Sequence, residues 1–234
     1  MQSMIGRLVG SLGLQMDEVS LREKMVSSLG GLVSIAVVLV VCRAALGTPD
    51  AFFLIPSMGA TAVLLFAIPH GQLSQPWPVI GGHLVSALIG VTCALWIPLL
   101  PLAAGCAVAL SIAAMHFLKC IHPPGGATAL TAVVGGEVVR TLGYSFVWFP
   151  VGLNAVLMVM IAVAFGMAFD GRRYPHRPQA KRSEPAAAGI SHEAVIAAVR
   201  GMDTFIDVSE QDLLELHRRL LAEQRLKPDA GRSE

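Results

Sequence analysis

What this chain lacks is charge across its middle. Only 14% of its 234 residues are charged, and from Met25 to Phe169 the charges are Arg43, Asp50, Lys119, Glu137 and Arg140. A water-facing domain needs charge over its whole surface, so a soluble globular fold is excluded and an integral membrane protein is expected. The net charge of +1 offers no electrostatic footprint for nucleic acid. Cys42, Cys93, Cys106 and Cys120 all lie in apolar stretches, where cysteine behaves as a small hydrophobe, so no disulfide framework is indicated. The apolar part has no nucleophile beside a base and no paired carboxylates, which argues against an enzyme, and nothing calls for a cofactor. A cleavable leader is not expected either, because the first long apolar run begins well inside the chain and no convincing cleavage site follows it.

What is present is hydrophobicity, 54% of the residues. Six apolar segments follow one another: Val26–Leu46, Phe52–Ile68, Val79–Leu100, Leu102–Leu118, His122–Val134 and Phe146–Phe169. A helix needs roughly 20 residues to cross the hydrocarbon, with ~17 near the minimum, so the fifth segment is expected to be broken or re-entrant. The fold class is therefore an all-α membrane protein of about six segments, occupying residues 25–170. Ahead of it, Met4, Ile5, Leu8, Val9 and Leu12 have the spacing of an amphipathic helix lying on the membrane within residues 1–24. Residues 171–190 read as a Pro- and Arg-rich linker. Residues 191–234 read as a small cytoplasmic α/β region whose last helix carries Leu213, Leu216, Leu220 and Leu221 on one stripe. With six crossings, Arg7, Arg22, Lys24, Lys119, Arg172 and Arg173 share one side, and only Arg43 and Arg140 lie on the other. The positive-inside rule then puts both termini in the cytoplasm of a cell (inner) membrane.

The helix-breaking residues are concentrated at two places. Pro56-Ser57-Met58-Gly59-Ala60-Thr61-Ala62-Val63 aligns with Pro123-Pro124-Gly125-Gly126-Ala127-Thr128-Ala129-Leu130, with Pro, Gly, Ala, Thr and Ala identical. Ile80-Gly81-Gly82-His83-Leu84 and Val151-Gly152-Leu153-Asn154-Ala155 can be aligned in the same order further on. Each half (about 25–100 and 101–170) then has three segments, the second opening on a break. Units of three enter the membrane from opposite sides, so the halves are expected to be inverted repeats, and paired breaks in inverted repeats point to a transport site near the midplane. The competing reading is that the small residues only allow close helix packing.

A helix that starts inside the membrane leaves its first N–H groups unpaired and carries a partial positive charge there, which suits an anion. The candidate substrate-binding residues are therefore Ser57, Met58, Gly59, Ala60 and Thr61 at the first break and His122, Pro123, Pro124, Gly125, Gly126, Ala127 and Thr128 at the second. His83 and Asn154 join them as polar residues on the third helices. His122 could donate to an anion, hold the break in shape or carry a proton; His83 and Asn154 could equally make ordinary helix–helix hydrogen bonds. His116, Cys120 and His122 are of metal-ligand type, but their spacing does not make a metal site. No Lys or Arg lies in either break, so a small monovalent anion is favoured over a polyanion.

The run His122-Pro123-Pro124-Gly125-Gly126-Ala127-Thr128-Ala129 resembles the signature of the HPP family of membrane proteins, and the resemblance covers about Arg22 to Tyr174. It implies nitrite transport, with the small inorganic anion and the lipid bilayer as partners. The family is described with four spanning helices, against the six segments read above. Bacterial relatives carry cytoplasmic nucleotide-sensing CBS domains, and Ile206–Leu213 is similar to the linker before them; this chain stops at Glu234, which puts such regulation in doubt. The alternative function is a membrane-anchored receptor or scaffold that couples the cytoplasmic tail to the membrane. Small residues at Ser28-Leu29-Gly30-Gly31 offer a face for a homodimer.

Overall fold

The computed structural model describes residues 19–46, 55–169, 172, 174 and 175. The amphipathic segment expected before residue 19, most of the linker and the α/β tail expected over 191–234 lie outside these residues. Every regular element among the described residues is helical. In order they are α1 (Leu21–Leu46), α2 (Ser57–Ala67), a 3-10 turn (Gln72–Ser74), α3 (Pro76–Trp96), α4 (Leu100–Phe117), α5 (Pro123–Val134), α6 (Gly136–Leu142), a π-helical stretch (Val147–Gly152) and α7 (Leu153–Ala168).

Among the described residues four spans are long and apolar enough to cross a bilayer: Leu21–Ala44, Pro76–Trp96, Leu100–Phe117 and Val147–Ala168. The helices α2 and α5 have only 11 and 12 residues. At ~1.5 Å per residue each covers about half of a hydrocarbon core of ~30 Å. The six expected segments thus resolve into four spanning helices and two half-length ones. The second segment is shorter than its apolar run suggests because Pro56 stands at its N-cap and Pro69 follows its last turn. At the other boundary, Leu21–Lys24 belong to the first long helix, not to a separate amphipathic segment.

Contacts fix the directions of the helices. Phe66 near the end of α2 packs over Gly30 in the first half of α1, so α2 returns toward the end at which α1 began. This intrachain contact occupies one of the two glycines suggested for a homodimer face. The helix α7 also descends beside α1: Cys42 meets Asn154 near the start of α7, and Phe66 meets Phe165 edge-on near its finish, with ring centroids 5.3 Å apart. Between α3 and α5 the spacing is set by glycine. A Cβ on Gly82 would lie 2.7 Å from His122 Cβ, and one on Gly90 would lie 2.6 Å from the Ala129 carbonyl oxygen. The two helices therefore rise side by side in backbone contact, as small residues permit.

The turn that delivers α5 is a Schellman cap on α4. The Cys120 N–H donates to the Met115 carbonyl at 2.9 Å, and the Lys119 N–H donates to the His116 carbonyl at 3.2 Å. Lys119 takes the left-handed conformation that this cap requires, with φ 53°. The chain then passes Cys120 and His122, both buried, into the two prolines that open α5.

Where α1 begins and α7 ends, a polar latch closes the bundle. Arg172 is buried and forks onto the Glu23 carboxylate, with Nε 3.0 Å from Oε1 and Nη2 also on Oε1. Its Nη2 further donates to Ser27 Oγ at 2.7 Å and to the Phe66 carbonyl. Two residues on, the Tyr174 hydroxyl donates to the Ser74 carbonyl at 2.9 Å, and burial pushes this phenol up, so that it remains a neutral donor. Arg172 and Tyr174 open the stretch read as linker, yet both are packed into the membrane domain. Tyr174→Phe removes one buried hydrogen bond and leaves the Ser74 carbonyl without it. A loss of about 1–2 kcal/mol is expected, to be measured by thermal unfolding in detergent.

Candidate functional site

The polar residues of the two breaks converge. The helices α2 and α5 run antiparallel past one another, with Ser57 beside Thr128 and Thr61 beside His122. The central piece is the imidazole of His83 on α3, whose two nitrogens bridge the aligned threonines. Its Nε2 is 2.8 Å from Thr61 Oγ1 and its Nδ1 is 2.7 Å from Thr128 Oγ1. Thr61 Oγ1 also lies 3.1 Å from His122 Nε2, and Thr128 Oγ1 lies 2.7 Å from Ser57 Oγ. The two histidine rings stand edge to face, with centroids 4.9 Å apart. Ser57, Thr61, His83, His122 and Thr128 are each at most 2% exposed.

The Leu73 carbonyl fixes the tautomer of His122, and one set of directions then satisfies both neutral rings. A carbonyl only accepts, so the 2.8 Å contact between His122 Nδ1 and the Leu73 oxygen places a proton on Nδ1. In the neutral ring, Nε2 is then an acceptor and the Thr61 hydroxyl donates to it. Thr61 Oγ1 in turn accepts from the His83 Nε2–H, which leaves His83 Nδ1 to accept from the Thr128 hydroxyl. Thr128 Oγ1 finally accepts from Ser57. In this set five hydrogen bonds point one way, from Ser57 to the carbonyl of Leu73. Two hydroxyls also have a second acceptor within reach: the Ser57 carbonyl at 3.1 Å from Thr61 Oγ1 and the Pro124 carbonyl at 3.3 Å from Thr128 Oγ1.

The other candidates fall into different settings. Met58, Pro124 and Gly125 are buried beside the cluster, and a Cβ on Gly125 would meet Ser86 Oγ at 2.8 Å and the Gly82 carbonyl at 2.9 Å. That glycine allows α5 to touch α3. Gly59, Ala60, Pro123 and Ala127 are exposed and Gly126 is partly so, with nothing within 4 Å of a Cβ on Gly59 or Gly126. Asn154 reaches α1, where its Oδ1 accepts from the Cys42 thiol at 3.0 Å. The helix starts offer little free backbone: Pro123 and Pro124 have no N–H, and the Gly125 N–H donates to the His122 carbonyl at 2.8 Å. At α2 the N–H groups of Met58 and Gly59 donate to Ile55 and Pro56. Side chains, not backbone amides, supply the polar groups here. The Leu73 carbonyl and the Arg172–Glu23 latch carried no sequence signal, since one is a backbone atom of a short loop and the other joins residues far apart in the chain.

These features define a multi-helix integral membrane domain with two half-length helices meeting at a buried polar centre. Residues 16–175 match the family model described as "HPP, transmembrane region", and the chain belongs to the HPP transmembrane family. It is similar to two transmembrane proteins of Dictyostelium discoideum. One is 38% identical over 130 residues, covering 54% of this chain and 42% of the relative. The other is 37% identical over 126 residues, covering 52% of this chain and 44% of the relative. The chain thus spans less than half the length of these relatives. No solved structure matches it.

Proposed function

We propose that this protein is a membrane transporter or channel for a small monovalent anion, nitrite by its family resemblance, and that the cluster around His83 is where the anion is held during passage. The observation that carries this reading is the burial of three hydroxyls and two imidazoles at the crossing of α2 and α5. Polar groups deep in a membrane domain are costly to place there and are functional by default. Every hydroxyl in the cluster is a donor that can turn toward an anion. A hydrogen bond to a charged group contributes about 1.5–3 kcal/mol against about 1 kcal/mol for a neutral one, so each bond exchanged gains only about 0.5–2 kcal/mol. Binding is therefore weak, which suits a ligand that must also leave. The arrangement described is closed, and passage requires α2 and α5 to part.

On this proposal α1–α3 and α4–α7 are two halves of opposite orientation, each contributing one short helix and one threonine, and both termini face the cytoplasm of the inner membrane. The aligned breaks and the antiparallel pairing of α2 with α5 support that arrangement. The test is uptake by the purified protein in liposomes. Nitrite is expected to enter well above the rate in protein-free liposomes, other small monovalent anions are expected to compete, and phosphate is not. Absence of flux for every anion, together with retention of a cytosolic partner, would favour the receptor or scaffold role instead.

A further inference from the structure

We infer that Ser57, Thr128, His83, Thr61 and His122 form a proton relay that accepts one proton at the Ser57 end and holds it on His122. The relay follows from the hydrogen-bond directions; its link to anion movement rests on the transport reading.

Each step conserves protons. A proton added to Ser57 Oγ forms one O–H bond, and the hydroxyl proton that Ser57 already carried passes to Thr128 Oγ1, 2.7 Å away. Thr128 releases its own proton to His83 Nδ1 across 2.7 Å. His83, now protonated on both nitrogens, gives its Nε2 proton to Thr61 Oγ1 across 2.8 Å. Thr61 releases its hydroxyl proton to His122 Nε2 across 3.1 Å. His122 becomes an imidazolium, with Nδ1–H on the Leu73 carbonyl and Nε2–H on Thr61. Thr61 then donates to His83 Nε2 and His83 Nδ1–H donates to Thr128, so these bonds have reversed. The Leu73 carbonyl accepts a hydrogen bond but does not take the proton onward, so the proton leaves by the same steps reversed, through Thr61, His83 and Thr128 to Ser57, once the cluster opens to the other side. The Pro124 and Ser57 carbonyls give the threonine hydroxyls an alternative resting place while they turn.

The capacity is one proton. With ring centroids 4.9 Å apart in a buried site, two imidazoliums repel strongly. The other titratable groups near the pair are few. Cys120 lies buried in the α4–α5 turn under Gly81, and His70 lies on the loop that carries Leu73. From α4 the neighbour is the Met115 thioether; α2 and α5 present hydroxyls. Of the described carboxylates, Glu23 is held by Arg172 and Glu137 is exposed on α6. A proton on His122 therefore arrives without a carboxylate to neutralise it, and a monovalent anion at the same cluster would do so. Proton and anion are expected to move together.

Two readouts test this. In liposomes with the membrane potential clamped and a pH dye inside, nitrite uptake above the protein-free rate is expected to carry one proton per nitrite. His122→Gln and Thr61→Val, the second of which keeps both rings, are expected to lower the number of protons carried per nitrite at least tenfold, a ratio that slower nitrite uptake alone does not change. Nitrite uptake without proton movement in the wild type overturns the relay. The second readout does not depend on transport: 15N spectra of the histidines in lipid bilayers. Neutral His122 protonated on Nδ1 and neutral His83 protonated on Nε2 are expected, with acidification charging one ring per chain. The opposite tautomers, or two charged rings, overturn the relay even if nitrite moves. The expected tautomers with no movement of any anion support the relay and overturn the transport reading.

Discussion

Gly82→Leu is expected to abolish recovery of folded protein from the membrane, whereas Gly126→Ala is expected to leave it intact. Both glycines lie in or beside the candidate site, and the sequence singles out Gly126 rather than Gly82. Their surroundings differ: a Cβ on Gly82 would lie 2.7 Å from His122 Cβ and 2.9 Å from the Cys120 carbonyl, whereas nothing lies within 4 Å of one on Gly126. A leucine at position 82 has to push α5 away from α3 and so separates His83 from Thr128. Overpacking of this kind typically costs about 1–3 kcal/mol, and more where backbone rather than a side chain is the obstacle, as here. Alanine at position 126 meets no neighbour and favours the helix by up to about 1 kcal/mol. Size-exclusion profiles and thermal unfolding of the two purified variants distinguish these effects. Normal unfolding of Gly82→Leu would show that the α3–α5 seam is looser than described.

Arg172→Met is expected to destabilise the membrane domain by up to about 3 kcal/mol, the lower end of the cost of removing one partner from a buried ion pair, because the Glu23 side chain is 18% exposed. The guanidinium serves the Glu23 carboxylate, Ser27 Oγ and the Phe66 carbonyl together, so its loss deprives three groups on α1 and α2 of a donor. The double variant Glu23→Met/Arg172→Met is expected to recover much of the loss, because it removes the buried charge along with its partner. Arg172→Lys keeps the charge but not the planar fork and falls between them. Thermal unfolding in detergent of the wild type, Glu23→Met, Arg172→Met and the double variant gives the pairwise energy. Equal stability of the wild type and Arg172→Met would remove the latch from the account.

Much of this organisation is legible in the chain, for reasons that can be named. The charge gap from Met25 to Phe169 marks the membrane domain because lipid-facing helices have no use for charge. Pro56 and the Pro123-Pro124 pair mark both half-length helices, since proline cannot continue a helix from within. The alignment of Thr61 with Thr128, and the singling out of His83, name the residues that meet at the cluster. What the pattern does not carry is partner choice. His83 and Asn154 align, yet His83 bridges the two threonines while Asn154 accepts from Cys42 on α1. Hydropathy also carries the second segment through Ile55 and on to Ile68, whereas the helix is Ser57–Ala67, because apolar residues count toward a span whether or not they are helical. Helix starts suggested free amides, but the prolines lack them and Gly125 uses its own. The Leu73 carbonyl, which fixes the tautomer of His122, is a backbone atom without a sequence signature.

The central claim is that the hydroxyl–imidazole cluster at the α2–α5 crossing carries the anion. It is tested most directly by nitrite uptake into liposomes containing wild type, Thr61→Val or Thr128→Val, at matched protein content and with folding checked by thermal unfolding. Valine keeps the branched shape and removes the one donor that each threonine can turn toward an anion. The exchange of a neutral for a charge-assisted hydrogen bond gains about 0.5–2 kcal/mol, so uptake is predicted to fall by about two- to thirtyfold in each variant while both remain folded. Wild-type uptake in folded Thr61→Val and Thr128→Val would contradict the claim.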